Sequence, residues 1–325
     1  MNNRKAGWLA LSVIAFHIVA VVVLKMIIKN MDDLPISLSL LFGELIIAIP
    51  AVIFLITACL GSGESPAKVL GFHKIKVTTA FLMIALGLSI IPLATFLNLF
   101  SMLFTKSVVT ESAAEVLSYP MYLVILCGGI IGPLVEESAC RGLIFSGMKK
   151  EMSAIFAIIL SAFVFGLFHM NLNQFLYAFA IGIFLALAVE ATGSVWASFI
   201  VHMTINTQQS LKMMLVNKLL PDIYSSSLAS EITNQQLLIS AGVYLVLGGV
   251  FTCVGIGILV LAANLEGRLG ALKTLTADPN AIKISDGTET SDKASFKDTL
   301  TLPYIAATIL AIAFIIVYEI MTRSA

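Results

Sequence analysis

The residues best suited to chemistry fall in three short stretches of one part of the chain. Pro133 to Gly142 holds Glu136, Glu137 and Arg141, Phe165 to His169 ends on a histidine, and His202 to Asn206 sets a histidine and an asparagine one helical turn apart. On a helix, Glu137 and Arg141 are i,i+4 neighbours with the acid first, the favourable order for an ion pair. Glu136 lies about 100° away around the same helix. The two adjacent carboxylates should therefore divide their roles, Glu137 neutralised by Arg141 and Glu136 left to face something else. A carboxylate and two imidazoles converging in a dry pocket can hold and deprotonate a water. The same Glu136, His169 and His202 could instead bind a divalent metal such as zinc. Asn206 offers an amide N–H to a developing oxyanion.

Each stretch also has a bland reading. The first could be a helix end where charges meet the aqueous phase, the second a structural histidine, and the third a polar contact between helices. Their common setting argues against taking them singly. Of four histidines in the chain, the two deep in its apolar middle follow an acidic pair at one helix per element.

The elements that must position them are membrane helices. Hydrophobic residues make up 59% of the 325 and charged ones 12%, about half the roughly 25% of a soluble domain. The charges are bunched, leaving neutral runs over 6–24, 45–63, 77–105, 116–135, 152–189, 191–211, 232–265 and 299–318. A bilayer-spanning helix needs about 20 mostly apolar residues, so the chain reads as an all-α, polytopic transmembrane bundle of eight to nine helices. They fall at about 8–24, 36–60, 79–104, 118–148, 152–170, 172–190, 194–214, 237–263 and 302–320. The 152–189 run is too long for one crossing, and Met170-Asn171-Leu172-Asn173 is where it should fold. The first run reads as a span rather than a cleaved signal, because no small-x-small site follows it.

With an inside N-terminus, Arg4, Lys5, Lys68, Lys74, Lys76, Lys149, Lys150, Arg268, Lys273, Lys283, Lys293 and Lys297 share the cytoplasmic side. Lys25, Lys29, Lys106, Lys212, Lys218 and Arg323 fall opposite. This asymmetry favours a cytoplasmic N-terminus. Three parts follow: N-terminal helices over 1–114, a core over 115–215, and C-terminal helices over 216–325 with a charged, solvated loop at 264–300. The four cysteines lie in apolar segments without metal-type spacing and are expected as free thiols. A net charge of zero gives no footprint for nucleic acid. Glu190 and Glu319, near helix ends, are expected to be interfacial. Glu44 is a weaker candidate for facing the cavity.

At Glu136-Glu137-Ser-Ala-Cys-Arg141, Phe165-Gly-Leu-Phe-His169 and His202-Met-Thr-Ile-Asn206 the chain resembles the CPBP family: CAAX prenyl endopeptidases and bacteriocin-processing membrane proteases, also called Abi. That family carries E-E-x-x-x-R, F-x-x-x-H and H-x-x-x-N/B motifs on successive membrane helices in this order. The resemblance covers about 115–215, and Leu70-Gly71-Phe72 before a basic stretch is a softer sign of it. It implies an intramembrane endopeptidase acting on a membrane-associated protein or peptide. Carried over, Glu136 and His169 are base and orienter, His202 and Asn206 oxyanion donors, and Glu137 with Arg141 a structural ion pair. No cofactor is expected, since no fourth ligand is evident; zinc held by Glu136, His169 and His202 is the alternative. Cys140 departs from the aromatic residue often found before the arginine, which reads as altered packing. The implied location is a prokaryotic plasma membrane. Two other classes stay open: a non-catalytic scaffold or immunity protein, and a proton-coupled transporter. The latter would favour symmetric repeats with broken helices, and none is seen.

Overall fold

The structure is a computed structural model describing residues 1–27, 36–221, 233–276 and 300–324. All regular structure among them is helical. We label α1 Asn3–Ile27, α2 Ile36–Ser62, α3 Pro66–Leu70, α4 Val77–Ser101, α5 Val108–Ser118, α6 Met121–Met148, α7 Ala154–Phe168, α8 Leu172–Thr192, α9 Val195–Leu219, α10 Asn234–Leu265, α11 Leu269–Lys273 and α12 Leu302–Ser324. Among the described residues, seven helices are long and apolar enough to cross a bilayer: α1, α2, α4, α6, α8, α10 and α12.

All nine expected helices are present, and the two that fall short of a span do so for different reasons. α7 has 15 residues, about 22 Å at 1.5 Å per residue, against a hydrocarbon core of about 30 Å. α9 has the length but turns polar halfway, through Asn206, Gln208, Gln209, Ser210 and Lys212. The expected fold in the long neutral run is observed. α7 stops at Phe168, Met170 adopts a left-handed φ of 53° and Asn171 caps α8 by accepting from the Gln174 amide at 2.8 Å. Asn173 then donates to Ser101 Oγ at 2.7 Å and to Asn98 Oδ1 at 3.1 Å, tying this corner to the end of α4.

α8 is the most buried span, and α2, α10 and α12 are the most open to lipid. Packing uses small residues, as expected where lipid is as apolar as leucine. A Cβ on Gly182 would lie 3.0 Å from the Ala162 Cα, so only glycine lets α8 approach α7 this closely. Around that contact, Leu143, Ile144 and Phe145 of α6, Phe165 of α7, Leu185 of α8 and Val201 of α9 join one apolar core with Leu9 and Val13 of α1.

At one end of the bundle the connections interlock. Val195 N–H donates to Gly71 O at 3.0 Å, Phe72 stacks on Trp196 with ring centroids 4.8 Å apart, and the Ser194 hydroxyl donates to His73 O. The Leu70-Gly71-Phe72 sign thus marks the clamp that holds the start of α9. Glu266 accepts from Lys76 N–H at 2.9 Å and Thr79 Oγ1 at 2.5 Å, and Ile155 N–H donates to Leu275 O at 2.9 Å. The start of α1 joins the connection after α6 through Asn3 N–H, which donates to Glu151 Oε1 at 3.3 Å, so these segments carry the basic residues assigned to one side, except Lys283, Lys293 and Lys297. Those three, Lys29, and residues 277–299 of the charged loop lie outside the described residues. Glu190, expected to be interfacial, lies near the end of α8 and is covered there by protein: it is 2% exposed and ion-paired with Lys149, with Arg268 Nη2 at 3.9 Å. Two segments distant in sequence bring these cations to it, which helix-end position alone could not indicate.

Candidate active site

α6 presents the acidic pair and is not a regular α-helix. Two π-helical stretches, Ile125–Ile131 and Ser138–Phe145, flank the six-residue α-helical stretch Gly132–Glu137 that carries both carboxylates. Such wide turns cluster at functional sites. The first has a visible cause. Gly132 N–H bonds Cys127 O in the i→i−5 register, so the next acceptor, Gly128 O, faces Pro133, which has no N–H to give. The Asn206 amide supplies the missing donor, Nδ2 to Gly128 O at 3.1 Å. α9 comes near enough because Gly129 leaves room for Thr207, whose Oγ1 would lie 2.7 Å from a Cβ there.

Glu137 is the hub of the buried network. Arg141 Nη1 donates to its Oε1 at 2.8 Å, and both side chains have zero exposure. Arg141 Nη2 reaches Gly182 O at 3.1 Å, through the close contact of α8 described above, and its Cζ lies 4.4 Å from the centre of the Phe165 ring. Guanidinium over an aromatic face is favourable where water is excluded. The same Glu137 Oε1 also takes His202 Nδ1 at 3.0 Å. A carboxylate only accepts, so this contact puts the proton on Nδ1 and leaves Nε2 facing away. What Nε2 faces is Glu136, with Oε2 at 3.9 Å. That is too far for a hydrogen bond, and about what one bridging water would span. Glu136 Oε2 is buried with no hydrogen-bond partner among the described residues.

His169 ends α7, its Nδ1 3.1 Å from Phe165 O, so Nδ1 is the donor and Nε2 keeps its lone pair. Its backbone is held in turn by the Asn171 amide, which donates to His169 O at 2.9 Å. The Phe165 ring stands between the two imidazoles in edge contact with both, at centroid distances of 5.2 Å to His169 and 5.6 Å to His202.

The structure therefore gathers Arg141, His169 and His202 around Phe165, with Glu137 and Glu136 facing the two ring nitrogens of His202 and Asn206 one turn beyond it. The ion pair expected of Glu137 and Arg141 is made. Among the described residues no hydrogen bond or ion pair joins Glu136 directly to His169, and the histidine atom that Glu136 faces is His202 Nε2, 3.9 Å away. Sequence reading did not find the bond between Glu137 and His202, the place of the Phe165 ring, or the Gly128 carbonyl. Only the last had a usable signal, the glycine pair five residues before a proline. Among the described residues no three of His, Cys, Asp and Glu group as metal ligands would. Glu137 takes His202 Nδ1, which leaves Nε2 as the nitrogen of His202 on the side of Glu136.

The class of protein this defines is a polytopic helical membrane protein with a buried acid–histidine site. Residues 118–208 match the family described as type II CAAX prenyl endopeptidase Rce1-like, a segment holding Glu136 through Asn206. A Bacillus subtilis (strain 168) protein named "Putative membrane peptidase YdiL" is 31% identical over 85 residues, 26% of this chain and 35% of that protein. The chain thus spans about a third of that relative's length. No solved structure matches. The resemblance to the CPBP family carried by the three motifs is borne out over this segment.

Proposed function

We propose that the chain is an intramembrane endopeptidase that hydrolyses a peptide bond of a membrane-associated protein or peptide. One observation carries the reading: His202 Nε2 and Glu136 Oε2 face each other across 3.9 Å, with His202 held from behind by Glu137. A water in that interval loses a proton to Glu136 while its oxygen bonds to the substrate carbonyl carbon. His202, when Nε2 carries a proton, donates to the developing oxyanion, and Asn206 retains a second amide N–H beyond the one on Gly128. The C–N bond then breaks and Glu136 returns the proton to the leaving amine. His169 is the orienting residue beside Glu136. The family match and the printed name of the Bacillus relative support peptidase chemistry, and the interlocked basic end favours a cytoplasmic N-terminus in a prokaryotic plasma membrane.

The test compares membrane peptides after incubation with wild-type protein and with Glu136→Gln, His169→Ala and His202→Ala, each purified and shown to be folded. General acid–base groups contribute about 10²–10⁴-fold, so cleavage should fall at least about a hundredfold in each. Retained cleavage in any of them overturns the assigned mechanism. A cellular phenotype unchanged by Glu136→Gln would favour a scaffold, and proton-driven flux in vesicles a transporter.

A further inference from the structure

Glu44 belongs to α2, and none of the three motifs includes it. Its carboxyl lies directly on the backbone of Gly132: a Cβ there would meet Glu44 Oε1 at 2.5 Å, Cδ at 2.9 Å and Oε2 at 3.1 Å. Any other residue at 132 would drive the carboxyl out. Gly132 opens the α-helical stretch that ends at Glu137, so Glu136, at i+4, stands one turn along on the same face. Glu44 Oε2 and Glu136 Oε2 are both buried, and neither has a hydrogen-bond partner among the described residues. Both groups therefore border the same face of this helical stretch. Two acceptors left open on one face call for a donor brought from outside the protein, because an unsatisfied buried carboxyl is costly. His202 Nε2 lies 3.9 Å from the same Glu136 Oε2.

We propose that Glu44 is a positioning residue of the hydrolytic site: seated in the notch at Gly132, its Oε2 accepts a hydrogen bond from the water that Glu136 deprotonates, and so aims that water's oxygen at the scissile carbonyl. The inference rests on the peptidase reading above. The water has two hydrogens, one for each carboxyl, so the second bond fixes an orientation that Glu136 alone leaves free. Loss of aim costs rate rather than affinity, since a misplacement near 1 Å can cost about 10²-fold.

The experiment measures kcat, KM and thermal unfolding for Glu44→Gln, Glu44→Ala, Gly132→Ala and the double variant Gly132→Ala with Glu44→Ala. Expected are a fall in kcat of roughly ten- to a hundredfold for each single variant, KM within about twofold, and a midpoint for Glu44→Gln equal to or above wild type. In the Glu44→Ala background, Gly132→Ala should add nothing, because the vacated notch accepts the methyl group. Wild-type kcat in Glu44→Gln overturns the inference and leaves the peptidase reading standing. So does an unfolding midpoint that drops in step with activity, or a Gly132→Ala loss that persists without Glu44. Should Glu44→Gln not fold, the Gly132→Ala comparison decides alone. A folded wild type that cleaves no membrane peptide, although its Glu136 and His202 are intact, overturns both.

Discussion

Two carboxylates of this protein are buried to the same degree and serve different ends. Glu137, in the middle of α6, is bound by Arg141 from its own helix and by His202 from α9. Glu190, at the end of α8, is bound by Lys149 and faces Arg268, both from connections at the basic end. The partners of Glu190 keep contact with water, at 35% and 38% exposure, whereas Arg141 has none. The partner sets differ in kind as well. Lysine and arginine stay charged through any turnover, so Glu190 works as a staple between segments. Histidine has two ring nitrogens, and the His202 ring joins Glu137, bonded at Nδ1, to Glu136, 3.9 Å from Nε2. Burial alone therefore does not mark the site. What marks it is a buried carboxylate whose histidine partner has a second nitrogen aimed at another acid.

The same substitution at both positions sharpens the contrast. Glu137→Gln removes the counter-charge of an arginine that cannot reach water, and leaving a buried charge unpaired costs about 3–5 kcal/mol. Unfolding of the purified protein in detergent should shift by that amount, with a matching loss of yield. Arg141→Lys should not restore it, because an ammonium cannot hold Glu137, Gly182 O and the Phe165 face at once. A Glu137→Gln protein with wild-type stability would break the comparison at its stronger end.

Asn206 tests the link between the hub and the irregular helix that carries it. Asn206→Ala leaves Gly128 O without the donor that Pro133 also lacks, and an orphaned buried acceptor costs about 1–3 kcal/mol. Unfolding should register that loss, and cleavage per folded molecule should fall as well, by roughly 10²-fold if the second N–H meets the oxyanion. A fall in stability without a fall in cleavage would assign Asn206 to the scaffold of the site alone.

How far all this was legible depends on what sets each feature. Charge spacing specifies membrane helices because the bilayer tolerates little else, so α1, α2, α4 and α6 to α10 and α12 were readable as a set. α3, α5 and α11 were not, being too short or too polar to leave a hydropathy signal. The Glu137–Arg141 pair was readable because i,i+4 geometry is local to one helix. The bond from Glu137 to His202 was not, since spacing along α6 carries no information about which rotation α9 presents. The partners of Glu190 were hidden for the same reason: its cations come from 41 residues before and 78 after it. The π turns of α6 were missed because hydrophobic spacing was read at one helical period, although Gly128, Gly129 and Pro133 within a single span were a warning.

Glu190→Gln gives the smallest expected effect and bears most directly on the difference between staple and site. It deletes the charge from the buried partner and strands no cation, because Lys149 and Arg268 are already more than a third exposed and can turn to solvent. Exposed ion pairs are worth about 0–1 kcal/mol, so unfolding should move by no more than roughly 1 kcal/mol. Any residual shift should shrink as salt screens the basic end. Cleavage per folded molecule should match wild type, since nothing in this cluster touches Glu136, His169 or His202. If cleavage drops while stability holds, the basic end is coupled to the buried site through α8, whose Gly182 carbonyl holds Arg141. Glu190 would then belong to the machinery it is here set against.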